Sequence, residues 1–281
     1  MNRRNKEKLA IGVMRLSLYG VVLILAAIMA VIVIKGFSAM SWSMITQSPK
    51  GGFYLGKEGG VANAIVGSIY LAGGATLLAL LFSVPLAFAL QKEYSSGRLT
   101  YYSRLALDVL WGTPSIVYGA FGFIIMMMIG LRSSLLAGII TLALLVTPIM
   151  TRAMEEIIRM APQELKETAY ALGLTRLESS STVILRQTIG GLLTAVMLAF
   201  SRAIGDAASI LFTAGFSDHM PGSLLDPVAS LPLAIFFQIS TPIPEVQQRA
   251  YASALILFII VLLLSLMSRW MYRKFSKNVI K

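Results

Sequence analysis

The chain has 281 residues, of which 57% are hydrophobic and 13% are charged, and its formal net charge is +11. A soluble domain carries about a quarter of its residues as Asp, Glu, Lys and Arg, so the composition excludes an ordinary soluble enzyme and a disordered tail. The absence of cysteine also excludes a disulfide-stabilised domain.

Six stretches are long and apolar enough to cross a membrane as helices. A helix needs about 20 residues to cross a hydrocarbon core of roughly 30 Å, and backbone polar groups in lipid must be paired within the protein. We therefore predict an all-α integral membrane protein with one transmembrane domain over residues 1–281. The second span is long enough to predict a tilt, a kink at Pro85 or ends outside the core. The predicted spans are 16–34, 65–90, 109–131, 133–151, 189–214 and 250–268.

Lysine and arginine are distributed unevenly between the two sides of these spans. Eighteen of the 24 lie before the first span, in the second-to-third or fourth-to-fifth connection, or after the sixth span. Cytoplasmic segments carry the excess of Lys and Arg in membrane proteins, which predicts that both termini are cytoplasmic. The positive charge is then an orientation signal, so nucleic acid is disfavoured as a partner.

The predicted outer loop, residues 217–249, contains five prolines and a largely apolar middle. The prolines prevent this middle from crossing the membrane as one helix. An interfacial or re-entrant segment fits it better.

The predicted inner loop, residues 152–187, contains a short amphipathic helix. Pro162 suits its first turn, and Gly173 is well placed to end it in a left-handed conformation. Periodicity alone leaves open whether the helix caps the bundle's own face or docks on a partner protein. Its acidic residues near the positive helix end are Glu164 and Glu167, and its apolar stripe is Leu165, Ala169 and Leu172.

Two charges lie inside the predicted fifth span. Arg202 is 15 residues beyond Gln187, which is about 22 Å along an α-helix. An unpaired Arg inside a bilayer costs at least about 2.5–3.5 kcal/mol, so we expect Asp206, one turn away, to pair with it. The residues leave two functions open. The pair fixes helix packing, or Arg202 meets an anion that crosses the membrane, because a guanidinium offers two parallel donors to an oxyanion.

The remaining polar residues predict no metal site, cofactor or catalytic centre in this chain. His219 is the only histidine and cysteine is absent, so a transition-metal site is not expected. No Gly-x-x-x-x-Gly-Lys-Ser/Thr loop occurs, so we do not expect this chain to hydrolyse ATP. The spans lack clustered acids, bases or ligands, which disfavours a membrane-embedded enzyme. Asp108 is expected to cap its helix or to pair with Arg104.

The inner loop resembles the cytoplasmic signature of ABC-importer permeases, which reads Glu-Ala-Ala, three residues, Gly, nine residues and Ile-x-Leu-Pro. This chain has Thr168 for the first Ala and Arg186 for the final Pro. In that family the loop is a coupling helix that inserts into a cleft of the ATPase subunit. The resemblance assigns this role to Glu164, Leu165, Glu167, Ala169, Leu172 and Gly173. The matching segments are Glu167-Thr168-Ala169-Tyr170-Ala171-Leu172-Gly173 and Val183-Ile184-Leu185.

Further segments resemble the A-type permease subunit of the phosphate-specific (Pst) ABC importers, over about residues 55–270. They are Gly59-Gly60-Val61, Pro114-Ser115-Ile116-Val117-Tyr118-Gly119, Ser201-Arg202-Ala203-Ile204-Gly205-Asp206, Leu211-Phe212-Thr213-Ala214-Gly215 and Ala229-Ser230-Leu231-Pro232.

This resemblance implies a type I ABC-importer permease fold of six spans in a bacterial inner membrane. It also implies a homologous partner permease in a heterodimer, two ATPase subunits that use ATP and Mg, and a periplasmic phosphate-binding protein. Arg202 and Asp206 would then line the phosphate pathway. The family carries Glu at position 206 and commonly Thr-Ala-Pro at 207–209, where this chain has Asp and Ala-Ala-Ser. These departures support sulfate, molybdate or tungstate as an alternative cargo. A stand-alone channel or carrier is a separate alternative.

Overall fold

The computed structural model describes residues 3–50, 59–95 and 97–275, and its regular elements are helices. Three of the 24 Lys and Arg residues counted for the orientation lie outside the described residues, namely Lys57, Lys277 and Lys281. In chain order the elements are α1 (Arg3–Ser38), α2 (Trp42–Thr46), α3 (Ala62–Ala89), α4 (Arg98–Gly112), α5 (Ser115–Met128), α6 (Leu135–Arg159), α7 (Gln163–Ala171), α8 (Arg176–Glu178), a π-helical turn (Ser179–Ile184), α9 (Leu185–Ile204), α10 (Leu231–Ile239) and α11 (Pro244–Phe275).

Five helical segments in the described part of the chain are long and apolar enough to cross a membrane. The bent pair α4–α5 makes a sixth if the pair is counted as one span. One of the five runs without a break in helicity from α8 through the π-helical turn into α9. Pro85 lies inside α3, which continues through it as one helix.

The predicted third span, 109–131, is not one continuous helix. The axes of α4 and α5 meet at 101°, because Pro114 begins the second helix and Thr113 before it is extended, with φ −74° and ψ 130°. A proline disfavours the helical conformation at the preceding residue. The Leu110 carbonyl at the end of α4 accepts the Thr113 amide at 3.1 Å and also the Tyr118 hydroxyl of α5 at 2.7 Å, so the second hydrogen bond holds the two helices together across the bend.

The predicted fifth span, 189–214, is also wrong in its second half. Helix α9 ends at Ile204, and the next ten residues form non-helical turns. Ile210 and Ala214 in these turns are fully buried. Irregular backbone is tolerated at membrane depth where it is enclosed by protein, so apolar character alone did not predict where the helix ends.

Helices α3, α6 and α9 pack together at the centre of the bundle. Their contact surfaces carry small residues, and Ala72, Ala75 and Ala79 of α3 are fully buried. Small side chains allow close approach of helix backbones where the surrounding lipid is as apolar as the helices. Helix α1 packs along α11, and its most apolar 18-residue window is exposed along its whole length.

The two ends of the bundle contain different structures. At one end, the Gln91 amide after α3 donates to the Glu155 carbonyl near the end of α6 at 3.2 Å, and the loop with α7 lies beside them. At the opposite end, the Asn63 amide at the start of α3 donates to the Ser217 carbonyl at 2.7 Å, and the Ser134 amide donates to the Thr213 carbonyl at 2.9 Å. We call these the coupling end and the opposite end.

Residues 217–249 contain the short helix α10. Its nine residues extend only about 14 Å, which is less than half the thickness of a hydrocarbon core. Ser230 caps its first turn through the Leu233 amide, and Pro232 occupies that turn. Leu231 and Leu233 are buried, and α10 packs against α11 and α3.

Candidate functional site: a coupling helix and an Arg–Asp pair

Helix α7 ends in the conformation expected for Gly173. This glycine has φ +84°, its amide donates to the Tyr170 carbonyl at 3.0 Å, and the Leu174 amide donates to the Ala169 carbonyl at 3.1 Å. The two bonds form a Schellman motif. At the other end Pro162 is the N-cap residue, one position earlier than the predicted first turn.

The predicted apolar stripe of α7 is divided between two environments. Ala169 is buried, and Leu165 is half-buried. Leu172 follows the last helical residue as the C-cap and is 76% exposed. Glu164 and Glu167 are exposed. The exposed face of the loop therefore combines two acidic residues with an exposed leucine, a mixture that suits a protein partner better than lipid.

A buried lysine joins α7 to the turn that follows α3. The Lys166 ammonium donates to the Glu93 carboxylate at 2.6 Å, and the lysine side chain is almost fully buried. The Arg176 guanidinium donates to the Glu93 carbonyl at 2.6 Å. Burial raises the pKa of Glu93, but the hydrogen bond and charge of Lys166, with further help from Arg176, outweigh it and leave the pKa below its ordinary value. Sequence reasoning did not identify this contact.

Tyr94 in the same turn fixes the other side of the loop. Its hydroxyl donates to the Arg176 carbonyl at 2.7 Å and lies 2.8 Å from the Ser180 hydroxyl. Ser180 belongs to the π-helical turn, which leads directly into α9. Residues 91–95, which we call the docking turn, therefore hold both α7 and the segment that precedes α9.

An ion cluster joins α4 to α6 next to the docking turn. Glu155 is 2% exposed, and its carboxylate accepts hydrogen bonds from Arg104 and Arg152, each at 2.7 Å. Arg152 also binds Asp108 through two nitrogen atoms, each at 2.9 Å. The predicted Asp108–Arg104 pair is therefore wrong, because helix packing places Arg152 opposite Asp108 and Glu155 opposite Arg104. Arg104 in addition donates to the Leu90 carbonyl at 2.9 Å, which connects the cluster to the end of α3.

The predicted Arg202–Asp206 pair is present at the end of α9. The Arg202 guanidinium donates to Asp206 Oδ1 at 2.8 Å, and Asp206 Oδ2 accepts the Ser209 amide at 2.9 Å. Because α9 ends at Ile204, the arginine lies in the last helical turn and the aspartate lies in the turns beyond it. A cation is favoured at the negative end of a helix.

The two motifs that resemble phosphate permeases meet in space beside this pair. A methyl group on Gly119 would lie 2.7 Å from the Ala208 carbonyl oxygen and 2.9 Å from that of Ser209. Helix α5 therefore approaches the turns that hold Asp206 without an intervening side chain. The rings of Phe123 and Phe212 continue this contact with their centroids 6.2 Å apart.

The two predicted sites lie at opposite ends of α9. Arg202 is 17 residues beyond Leu185, where α9 begins, or about 25 Å along the helix. The residues predicted to form the coupling helix are at the coupling end, where α7 contacts the π-helical turn. In the described ranges, no three histidine, aspartate or glutamate side chains are grouped so as to hold a metal ion.

The chain is thus a bundle of long apolar helices, with the Arg202–Asp206 pair at one end of α9 and the α7 loop at the other. The chain belongs to the family described as binding-protein-dependent transport system inner membrane component, whose model matches residues 79–281. It is 32% identical to the phosphate transport system permease protein PstA of Yersinia pestis over 97% of this chain and 92% of that protein. It is 30% identical to PstA of Haemophilus influenzae over 96% of this chain and 95% of that protein.

Solved structures show the same fold. An inward-facing structure of the MetNI methionine ABC transporter covers 77% of this chain and 96% of its own, with a TM-score of 0.64 and 16% identity. At that identity the likeness concerns the fold alone. It confirms the predicted all-α permease fold of an ABC importer.

Proposed function

We propose that this chain is a transmembrane permease subunit that moves inorganic phosphate in an ATP-driven ABC importer. It forms half of the pathway, with a homologous permease as the other half in a heterodimer. Two separate subunits hydrolyse ATP with Mg, an extracytoplasmic binding protein delivers phosphate, and both termini are cytoplasmic. The likeness to two PstA proteins over nearly their full lengths supports phosphate as the cargo.

The unequal exposure of the Arg202–Asp206 pair is the observation that carries this proposal. The side chain of Arg202 is 43% exposed, whereas that of Asp206 is 4% exposed. Among the described residues, Asp206 is the one hydrogen-bond partner of the guanidinium. The remaining N–H donors therefore face accessible space, and an oxyanion that arrives there can be held by two parallel hydrogen bonds.

Asp206 limits how strongly the anion is held. A lone guanidinium in a low-dielectric site would bind phosphate tightly, which favours entry and opposes release. The carboxylate at 2.8 Å offsets part of this positive field. A moderate affinity suits a transport site, since conduction requires binding that is favourable enough for entry and weak enough for exit.

Coupling begins at α7. Its exposed residues Glu164 and Glu167, together with Leu172 directly after it, contact the ATPase subunit. Gly173 ends the helix so that this face can enter a cleft. The docking turn transmits a movement of α7 to the bundle, because it holds α7 through Lys166 and is hydrogen-bonded to the ends of α3 and α6. The π-helical turn passes the same movement to α9, which carries Arg202 at its far end.

The decisive experiment is ATP-dependent uptake by the complete transporter in proteoliposomes, with phosphate, sulfate and molybdate in competition. We expect radiolabelled phosphate to accumulate only with ATP, and unlabelled phosphate to compete better than the other two anions. A transporter in which sulfate or molybdate competes and phosphate does not would reject phosphate as cargo. Asp206 in place of Glu gives that alternative its support. Uptake by this chain without any ATPase would instead indicate a channel or carrier.

A further inference from the structure

An apolar groove lies between the middle of α9 and the last turns of α11, and two arginines border it. It has a volume of about 320 Å³ and is lined by Thr194 of α9 and by Ser268, Arg269, Tyr272 and Arg273 of α11. Arg269 directly follows the last apolar residues of the predicted sixth span, so the rim of the groove lies at the depth where hydrocarbon gives way to headgroups. The arginines are four residues apart and therefore lie on one face of α11.

Neither the Arg269 nor the Arg273 guanidinium has an ion-pair partner among the residues that the structure describes. The sequence offers no carboxylate nearby, since neither residues 185–204 nor residues 246–281 contain Asp or Glu. Both arginines are exposed, so their guanidiniums are accessible to an anion from outside the chain.

Aromatic residues next to the two arginines indicate that this part of α11 lies at the level of the lipid headgroups and faces lipid. The Lys274 ammonium lies 4.9 Å from the centroid of the Trp270 ring, a cation–π contact. Tryptophan is enriched at the level of the lipid headgroups. Trp270 and Tyr272 are exposed, so aromatic rings accompany the arginines at the surface that faces lipid.

We propose that this groove holds an acyl chain of an anionic phospholipid, whose headgroup phosphate lies at the two exposed arginines. Arg269 and Arg273 hold the phosphodiester oxygens, the Tyr272 hydroxyl lies at the rim, and an acyl chain follows the apolar surface of α11. Arginine suits this role because its planar donors match phosphate geometry, and basic pockets between membrane helices on the cytoplasmic side bind such headgroups. A lipid in this position would join the middle of α9 to the last turns of α11. The proposal does not depend on which anion is transported.

The groove can be tested by lipid binding to the complete transporter. Native mass spectrometry would measure retention of phosphatidylglycerol against phosphatidylcholine, both added at equal concentration. We expect the intact protein to prefer phosphatidylglycerol, and the Arg269→Gln/Arg273→Gln variant to lose at least about tenfold of that preference, since each basic residue at the surface contributes attraction to anionic lipid. The matched control is Arg3→Gln/Arg4→Gln, which removes two exposed cations of the same predicted side and should leave the preference unchanged.

A second variant separates a site from diffuse attraction. Thr194→Phe fills the groove without changing any charge, and it should also abolish the preference. Preference that survives Thr194→Phe, or that Arg3→Gln/Arg4→Gln lowers equally, would overturn the proposal in favour of general surface charge. If Arg269→Gln/Arg273→Gln fails to insert, Arg269→Lys/Arg273→Lys keeps the charge and should retain a weaker preference. An intact transporter that shows no preference for phosphatidylglycerol also overturns the site, whatever the transport assay shows.

Discussion

Asp206 holds Arg202 at the point where α9 stops being helical. One carboxylate oxygen accepts a hydrogen bond from the guanidinium at 2.8 Å, and the other accepts one from the Ser209 amide at 2.9 Å. The aspartate is therefore fixed by the turns beyond the helix, while the arginine is fixed by the last helical turn. A movement of α9 relative to those turns would change this pair first, so the affinity of the proposed anion site should depend on the conformation of the bundle.

Replacement of Arg202 by glutamine should abolish ATP-driven phosphate uptake while the complex still assembles. Glutamine keeps much of the side-chain volume but removes the charge and the parallel donors, and hydrogen bonds to charged groups contribute about 1.5–3 kcal/mol each. Uptake in proteoliposomes and subunit stoichiometry by size-exclusion chromatography measure the two properties. Arg202→Lys should keep part of the uptake, since the positive charge remains.

The control for Arg202 is Arg132→Gln, which removes an exposed arginine between α5 and α6. It should transport normally. If Arg202→Gln separates the subunits or unfolds the chain, the pair serves helix packing and the pathway assignment is wrong.

Helix α7 should lose coupling when its glycine end or its acidic face is changed. Gly173→Pro is incompatible with φ +84°, because proline fixes φ near −65° and removes the amide bonded to Tyr170. Glu167→Lys leaves the helix intact and reverses one exposed charge. Both variants should hydrolyse ATP without uptake, measured as the ratio of phosphate transported to ATP hydrolysed. A normal ratio in both variants would reject the coupling role.

Apolar runs in the sequence located the membrane helices but not every point where the backbone leaves the helix. The bend at Thr113 was predictable, since Pro114 disfavours a helical predecessor. The end of α9 at Ile204 was not, because residues 205–215 are as apolar as the helix before them. The turns formed by these residues are recognised only in the structure, from hydrogen bonds such as that of the Ser209 amide to the Asp206 carboxylate and from their packing against α5 and α6.

Local spacing predicted the Arg202–Asp206 pair, whose members are four residues apart. It failed for Asp108, where Arg104 has the same spacing but the observed partner is Arg152, 44 residues away. Likewise, the exposed charges expected of a solvent-facing loop gave no indication that Lys166 is buried against Glu93. Such partners are chosen by how the helices pack, which a single pattern of residue types does not specify.

The Lys166–Glu93 contact should determine how firmly α7 is held on the bundle. Lys166→Met keeps the buried stem but leaves the Glu93 carboxylate without its partner, at a cost of about 1–3 kcal/mol. Hydrogen exchange of residues 163–174 should accelerate, and coupling should fall. The matched control is Lys92→Met, which removes an exposed lysine from the same turn and should change neither. Equal exchange in the two variants would show that other contacts hold α7.

The same contact predicts a response to acid. The pKa of Glu93 is lower in the folded protein than its ordinary value of 4.5. The stabilisation from the ionised pair is therefore fully present above that value and is lost as the pH falls through the folded pKa. Exchange in α7, corrected for its intrinsic pH dependence, should be constant at neutral and mildly acidic pH and rise only below about pH 4.5. Glu93→Gln should remove this response; a response that persists in that variant would assign it to another carboxylate.

Close approach at Gly119 should be necessary for the anion site. In Gly119→Ala the added methyl group would lie 2.7 Å from the Ala208 carbonyl oxygen. That atom belongs to the backbone, which cannot yield without moving the turn that holds Asp206. Such overpacking typically costs about 1–3 kcal/mol, so we expect a lower thermal midpoint and reduced uptake, with a larger effect on phosphate affinity than on ATP hydrolysis. Gly112→Ala is the matched control, because nothing lies within 4 Å of its added methyl group. Equal thermal midpoints and uptake in the two variants would show that α5 does not position the Arg202–Asp206 pair.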